Sequence, residues 1–281
     1  QQVRINGTKS SPRSITSGVP QGSVLGPTLF VIYINDLPDL LQSNVKLYGD
    51  DAKVYRSIKS PDDETRLQQD IEKLEEWSSK WLLRFHPDKC TMFRLALKER
   101  PKNTYVMNDS NSEVELAWLQ EEKDLGVKFD ERLTFQNEID ARVKKANTIT
   151  GLIRRTFTHL NKTTFKKLYK ALVRPHLEYG VPVWSPHLQK NIKKIESVQR
   201  RATKQVNDLH NISYEERLRE LKIPSLKRRR ARGDLIETFK IVNGLYNIDP
   251  KDFFNHSQSN TRGHAKKLLK PRVNTNLRSH S

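Results

Sequence analysis

The sequence predicts an α+β chain, on three observations. Short β-prone runs broken by Gly, Asn and Asp fill the first 134 positions, and from Phe135 onward apolar residues recur at helical spacing to about residue 245. A tight Gly49-Asp50-Asp51 turn lies between two of the β-prone runs, Val45 to Tyr48 and Ala52 to Tyr55.

Each element has a local reason. Asn6-Gly7 marks a hairpin turn into a second short strand near Thr8 to Ser14. Ser17 to Pro27 reads SGVPQGSVLGP, whose three Gly and two Pro let the backbone turn sharply and approach another molecule closely. Such a loop suits contact with a nucleotide or base pair; a purely structural turn is the other reading. Thr28 to Leu37 is strongly apolar and predicts a buried helix ending near Pro38, with Asp36 as a turn residue rather than a metal ligand.

After the central hairpin, Ser60-Pro61-Asp62-Asp63 carries the signals of a helix start, and Leu67, Ile71, Leu74, Trp77 and Trp81 form a core-facing stripe. Arg84 to Phe93 predicts a turn followed by an apolar strand, and Lys98 to Ser112 reads as polar and irregular. Val114 to Trp118 and Asp124 to Phe129 read as strands. Helices follow, marked by Ile139 to Ile149, by Asn161 with Phe165 to Leu172, by Ile192 to Ala202, by the Ser213/Glu216 capping box and by Ser225 to Val242. Pro175 to Pro186 is expected to be the bend between the second and third of these, and Asn255 to Ser281, poor in apolar residues, to be weakly ordered.

Composition narrows the function. The 281 residues contain 51 Lys and Arg against 33 Asp and Glu, a formal charge of +18, which points to a polyanionic partner, nucleic acid first. A basic helix lying on an anionic membrane stays open for the C-terminal third. Cys90 is the single cysteine, so the chain can build neither an internal disulfide framework nor a cysteine-based zinc site, and a reducing intracellular compartment is expected. The longest apolar run, Leu25 to Ile34, is interrupted by Gly26, Pro27 and Thr28 and is about half the ~20 residues of a membrane span. The eight His show no metalloprotease-like ligand spacing.

Asp50 and Asp51 are the chemical candidates. Adjacent carboxylates repel unless a cation neutralises them, and Mg²⁺ takes oxygen ligands of this kind. An ordinary solvated Gly-Asp-Asp turn is the competing reading.

Taken together, SGVPQGSVLGP at Ser17 to Pro27, YINDLP at Tyr33 to Pro38 and YGDD at Tyr48 to Asp51 resemble the palm of reverse transcriptases from non-LTR retrotransposons of the jockey-like LINE group. HPDKC at His86 to Cys90, DLGV at Asp124 to Val127, LVRPHLEYG at Leu172 to Gly180, QRRAT at Gln199 to Thr203 and SYEERL at Ser213 to Leu218 agree in the same order. The resemblance implies a partial polymerase palm, an antiparallel sheet with packed helices, at residues 1–134. It further implies a helical thumb at 135–210, a helical C-terminal extension at 211–254 and a basic tail at 255–281.

The implied activity is RNA-directed DNA polymerisation by two-metal nucleotidyl transfer, with Mg²⁺ or Mn²⁺ as cofactor. Its partners would be an RNA template, a DNA primer, their hybrid and deoxynucleoside triphosphates, in the nucleus or cytoplasm and not at a membrane. By the same resemblance Asp50 and Asp51 would hold the metal, and Lys89 would face the leaving pyrophosphate unless it is a plain surface lysine. Gly18, Pro20, Gln21 and Gly22 would line the nascent base pair, and Leu125, Gly126 and Val127 would form the primer grip. Two departures stand out. Gly49 replaces the family's usual Ala, and the sixteen residues before Ser17 contain no Asp or Glu to supply the family's further metal-binding carboxylate. The chain therefore reads as the C-terminal part of a longer protein, inactive alone, with a non-catalytic nucleic-acid-binding remnant or repurposed element protein as the alternative.

Overall fold

The computed structural model describes residues 1–16, 18, 22–96, 103–109, 112–257 and 266–269. They fall into two compact units, residues 1–94 with 98–119 and residues 95–97 with 120–281.

The first unit opens with the hairpin of β1 (Arg4–Ile5) and β2 (Thr8–Lys9), where Asn6 and Gly7 both take positive φ. Helix α1 (Gly26–Tyr33) and a 3-10 turn at Leu37–Leu40 lead into β3 (Asn44–Tyr48), which pairs antiparallel with β4 (Asp51–Tyr55). Helix α2 (Pro61–Trp81) is the spine of the unit. Its start is set by the Asp63 carboxylate, which reaches back to the Ser60 N–H at 3.1 Å and the Lys59 N–H at 3.0 Å. Its apolar stripe divides between two small cores. Leu67 and Ile71 pack with Tyr105, Met107 and Leu116, whereas Leu74 and Trp77 pack with Ile34 and Leu37 and take Leu47 and Val54 of the hairpin. Burial of each such side chain contributes about 1.5–3 kcal/mol, and an isolated two-stranded hairpin needs this support to persist in water.

The rest of the unit is strand-poor: β5 (Thr91–Phe93), β6 (Val106–Asp109), β7 (Ser112–Glu115) and β8 (Ala117–Leu119). The single antiparallel sheet expected for this half does not form among the described residues. The ten strands among the described residues make separate two-stranded ladders, and β5 runs parallel to β8. Side chains replace strands as edge partners. Gln68 donates to the Val106 carbonyl at 3.0 Å and accepts from its N–H at 3.1 Å, which satisfies the open edge of β6 from α2. The irregular stretch expected at Lys98 to Ser112 thus contains a strand, Val106–Asp109, of which Met107 is buried together with Tyr105 just before it; residues 98–102, 110 and 111 lie outside the described set. Helix α1 also departs from expectation. Only Gly26 of it is buried, and Leu29, Val31 and Ile32 are half or more exposed, because contact with α2 runs instead through Phe30, Ile34 and Leu37.

The second unit begins with an antiparallel hairpin, β9 (Glu121–Asp124) and β10 (Val127–Asp130), so the division falls some residues before the expected boundary at 134. Val127 joins the helical core directly, which is why this hairpin belongs with the helices. The Asp130 carboxylate then accepts from the N–H groups of Thr134 at 3.0 Å and Phe135 at 2.7 Å, fixing the entry to α3 (Gln136–Thr156). The core-facing residues Ile139, Val143 and Ala146 of α3 are at most 5% exposed.

Asn161 caps α4 (Lys162–Leu168) by accepting from the Thr164 N–H at 2.8 Å. One π turn, Tyr169–Val173, separates α4 from α5 (Arg174–Glu178). Its looser register leaves room for Pro175, which has no N–H to donate, in the first turn of α5. The bend expected from Pro175 onward therefore starts later, at Tyr179-Gly180, before α6 (Val181–Trp184). Helices α7 (Gln189–Thr203), α8 (Tyr214–Leu221) and α9 (Leu226–Val242) complete the unit. A buried network ties them: Tyr169 donates to Gln199 at 2.6 Å, and Gln199 donates to Tyr214 and to the Pro224 carbonyl at 3.0 Å. Glu196 then accepts the first N–H groups of α9 from Leu226 and Lys227, each at 3.2 Å. Of the expected tail, residues 258–265 and 270–281 lie outside the described set; in the remainder His256 and Leu268 form one antiparallel bridge.

Candidate active site

The β3–β4 turn is tighter than the sequence suggested. Tyr48 pairs with Asp51, so the loop is Gly49-Asp50 alone and Asp51 is the first residue of β4. Gly49 has φ +61°, the left-handed value that a two-residue turn with glycine in first place requires, and nothing lies within 4 Å of where its Cβ would be. By strand alternation Asp51 shares the outer face with Tyr48, Lys46, Lys53 and Tyr55, whereas Val45, Leu47 and Val54 face the helix. Asp50 and Asp51 are exposed, and among the described residues neither side chain makes a hydrogen bond or ion pair. Two adjacent carboxylates thus stand unpartnered at the end of a short ladder.

The support beneath them is a second carboxylate site that sequence reading missed. Asp70 of α2 is fully buried, and it accepts from the N–H groups of Gln42 at 2.9 Å and Ser43 at 2.8 Å, immediately before β3. Burial pushes its carboxyl up, but hydrogen bonds from Ser43 and Gln42 and the Lys73 ammonium outweigh that and hold it below the ordinary range. Asp63 is lowered further, to about 2, chiefly by the Lys59 N–H, and Arg56 bridges it to the Ser43 hydroxyl. A signal was present: Asp70 sits within the apolar stripe of α2, where a carboxylate must be buried and therefore bonded. Asp36, expected as a turn residue, accepts from the Trp77 indole at 3.1 Å.

Of the other candidates in this unit, Gly18 and Gly22 have φ +77° and +82° with open space around them, as a sharply turning loop demands, while Pro20 and Gln21 lie outside the described residues. Lys89 ends a single 3-10 turn, Pro87–Lys89; it is exposed, and no hydrogen bond or ion pair joins it to the Asp50-Asp51 tip. Among the described residues no group of three or more His, Cys, Asp or Glu side chains could enclose a metal ion. The Asp50-Asp51 pair nonetheless fits Mg²⁺, which is characteristically held by one or two carboxylates together with waters and substrate phosphates.

In the second unit the Leu125-Gly126 turn stands in contrast. Asp124 pairs with Val127, so these two residues form the whole loop, with φ +44° and +80°. Tyr179 donates its phenol to the Leu125 carbonyl at 2.7 Å, and Arg142 donates to the Gly126 carbonyl at 2.9 Å. The Arg142 guanidinium also lies over the Tyr179 ring, 5.0 Å from its centre, and pairs with buried Glu138 at 2.5 Å. Gly180, at φ +65°, lets the α5–α6 bend press on β10, since a Cβ there would meet Val127 Cγ2 at 2.9 Å. Sequence reading picked out Leu125, Gly126 and Val127 but not Arg142 or Tyr179, whose partners lie 16 and 54 residues away.

Exposed cations cover the helices of this unit: Lys144, Lys145, Arg154 and Arg155 on α3, Lys193, Arg200 and Lys204 on or just after α7, and Lys227, Arg228 and Arg232 on α9. The basic run at the start of α9 is not wholly outward. Arg229 forms a two-pronged pair with Glu178, and Arg230 is 6% exposed. Among the described residues no helix is long and apolar enough to cross a membrane.

A family model described as reverse transcriptase (RNA-dependent DNA polymerase) matches residues 2–129, the stretch that contains the Asp50-Asp51 hairpin. The probable RNA-directed DNA polymerase from transposon X-element of Drosophila melanogaster is 32% identical over 218 residues, covering 72% of this chain and 23% of that protein. The RNA-directed DNA polymerases from mobile element jockey are 27% identical in Drosophila melanogaster (80% of this chain, 25% of that protein) and 31% in Drosophila funebris (73% and 23%). The chain spans about a quarter of the length of these curated relatives. No solved structure matches it. With its paired aspartates inside the matched stretch, the chain matches the reverse transcriptase family over residues 2–129, and its similarity to the polymerases of non-LTR retrotransposons runs on into the helical unit.

Proposed function

We propose that this chain is the palm and thumb part of an RNA-directed DNA polymerase. The observation that carries the reading is the unpartnered Asp50-Asp51 pair on a hairpin anchored from behind by Asp70. Asp50 and Asp51 would hold Mg²⁺ or Mn²⁺, which supplies Lewis acidity toward the reacting phosphate. Two carboxylates from one hairpin hold such an ion weakly, so a further oxygen donor from outside the described residues completes the site.

The chain's own residues have the remaining roles. The glycines at 18 and 22, with Pro20 and Gln21, let backbone line the nascent base pair. Lys89 brings a cation toward the leaving pyrophosphate. The Leu125-Gly126-Val127 turn grips the primer, and α3, α7 and the outward cations of α9 follow the phosphates of the RNA–DNA hybrid. In this reading residues 1–119 are palm, β9 and β10 travel with a thumb ending near 210, residues 211–254 are an extension and 255–281 a basic tail. Template RNA, primer DNA and deoxynucleoside triphosphates are the partners, met in the nucleus or cytoplasm. Primer extension on an RNA template with Mg²⁺ or Mn²⁺ tests it: this chain alone should not extend the primer, whereas a longer chain that supplies the further carboxylate should, and that extension should fail in Asp50→Asn.

The lack of a three-ligand metal cluster among the described residues favours one alternative, a nucleic-acid-binding remnant without catalysis. It predicts salt-sensitive hybrid binding, with log K falling by ~0.9 per phosphate neutralised on duplex DNA, and no extension under any metal.

A further inference from the structure

The Leu125-Gly126 loop is made of the wrong residues for its shape. A two-residue hairpin loop with positive φ at both positions favours Asn, Asp or Gly in first place, because a larger side chain crowds the following carbonyl. Here that place holds Leu125 at φ +44°, 49% exposed, so its side chain is not kept by burial. What holds the conformation is external. The carbonyl oxygens of strained Leu125 and of Gly126 are the ones taken by Tyr179 at 2.7 Å and Arg142 at 2.9 Å.

The two donors are themselves fixed. Arg142 is anchored by Glu138, whose other oxygen accepts from the Lys128 N–H at 3.1 Å, and it lies over the Tyr179 ring. The ring edge fills the space beside Gly126, 3.5 Å from where a Cβ would stand. Persistent strain held by surrounding groups marks a place where conformation serves function.

We propose that Arg142 and Tyr179 are positioning residues, a brace that holds the Leu125-Gly126 turn in its left-handed form so that the apolar Leu125 side chain is presented to the primer strand. The inference rests on the reading of this turn as nucleic-acid-facing. Leu125 is kept at a place that favours Asn because its side chain, not its backbone preference, is what the turn must offer. Neither brace residue touches the strand; each acts through the turn.

The test uses the full chain, with Tyr179→Phe as the mild variant and Arg142→Gln as the harsher one. Readouts are the exchange rate of the Val127 amide, which closes the turn, and affinity for an RNA–DNA hybrid primer-template. Tyr179→Phe should speed Val127 exchange by about three- to tenfold, the worth of one hydrogen bond, and weaken hybrid affinity by a similar factor. In a Leu125→Asn background the exchange effect of Tyr179→Phe should vanish, because Asn-Gly needs no brace; a packing role alone would give the same effect in both backgrounds. Unchanged Val127 exchange in both single variants would overturn the brace, even if Leu125→Ala weakens hybrid binding and so upholds the reading of the turn. Hybrid affinity indifferent to Leu125→Ala as well as to the brace variants would instead overturn the nucleic-acid reading and the proposed role with it.

Discussion

Two hairpin tips of nearly identical construction have opposite surroundings. Gly49-Asp50 and Leu125-Gly126 are both two-residue loops closing short antiparallel ladders, and both rely on left-handed backbone. The first projects carboxylates that have no partner among the described residues, and its support lies below the strands in Asp70 and α2. The second is held at the loop itself by Arg142 and Tyr179. The difference follows from what each tip offers. On the proposed reading, carboxylates that hold a cation must not be neutralised by protein donors, whereas a tip that presents shape has to be held against its own backbone preference.

Substitutions can break this comparison, and the largest effect on stability is expected at Gly180. A Cβ there combines a φ of +65° with a 2.9 Å approach to Val127, so Gly180→Ala should cost about 2–4 kcal/mol in urea unfolding and loosen the β10 tip. Next comes Asp70→Ala, which strands the Gln42 and Ser43 N–H groups beneath the Asp50-Asp51 hairpin and should cost about 2 kcal/mol by the same measurement.

Acid should act on the same support. Asp63 and Asp70 both have carboxyls lowered in the folded chain, so their stabilisation is complete above the unfolded value near 3.9 and is lost as pH falls through the folded one, about 2 for Asp63. A stability profile that stays flat from pH 4 to 2 would contradict this. Gly49→Ala shares the positive φ of Gly180 but faces open space, and should cost only about 1 kcal/mol. Least affected is Asp50→Asn, expected to change stability by no more than about 0.5 kcal/mol while lowering metal-dependent extension, in a longer chain that supplies the further carboxylate, on the order of 100-fold. A large stability change in that variant would mean that the protein does partner the tip after all.

Legibility from sequence differed in the same way between the two tips. Asp50, Asp51, Leu125 and Gly126 sit in short motifs whose chemistry or turn preference is local. Their supports do not. Asp70 bonds residues 27 and 28 positions away, and Tyr179 bonds one 54 away, so only the folded chain brings them together. The helices after Phe135 were readable because a 3.6-residue period repeats over several turns, and the caps at Asn161, Ser213 and Ser225 are local hydrogen bonds. The strand at Val106–Asp109 was hidden because a four-residue strand paired partly by a helix side chain leaves little periodic signal.

By itself the sequence determined the α+β order, the helix starts, the paired carboxylates and the surplus of positive charge, because each depends on neighbours within about one helical turn or on composition. Tertiary structure alone decided that β9 and β10 join the helices through Val127, that α1 stays largely exposed, that Arg229 and Arg230 turn inward, and that one tip is braced while the other is bare. Those outcomes rest on which distant side chains supply a hydrogen bond or a packing surface, and the chain acquires these only on closing its loops.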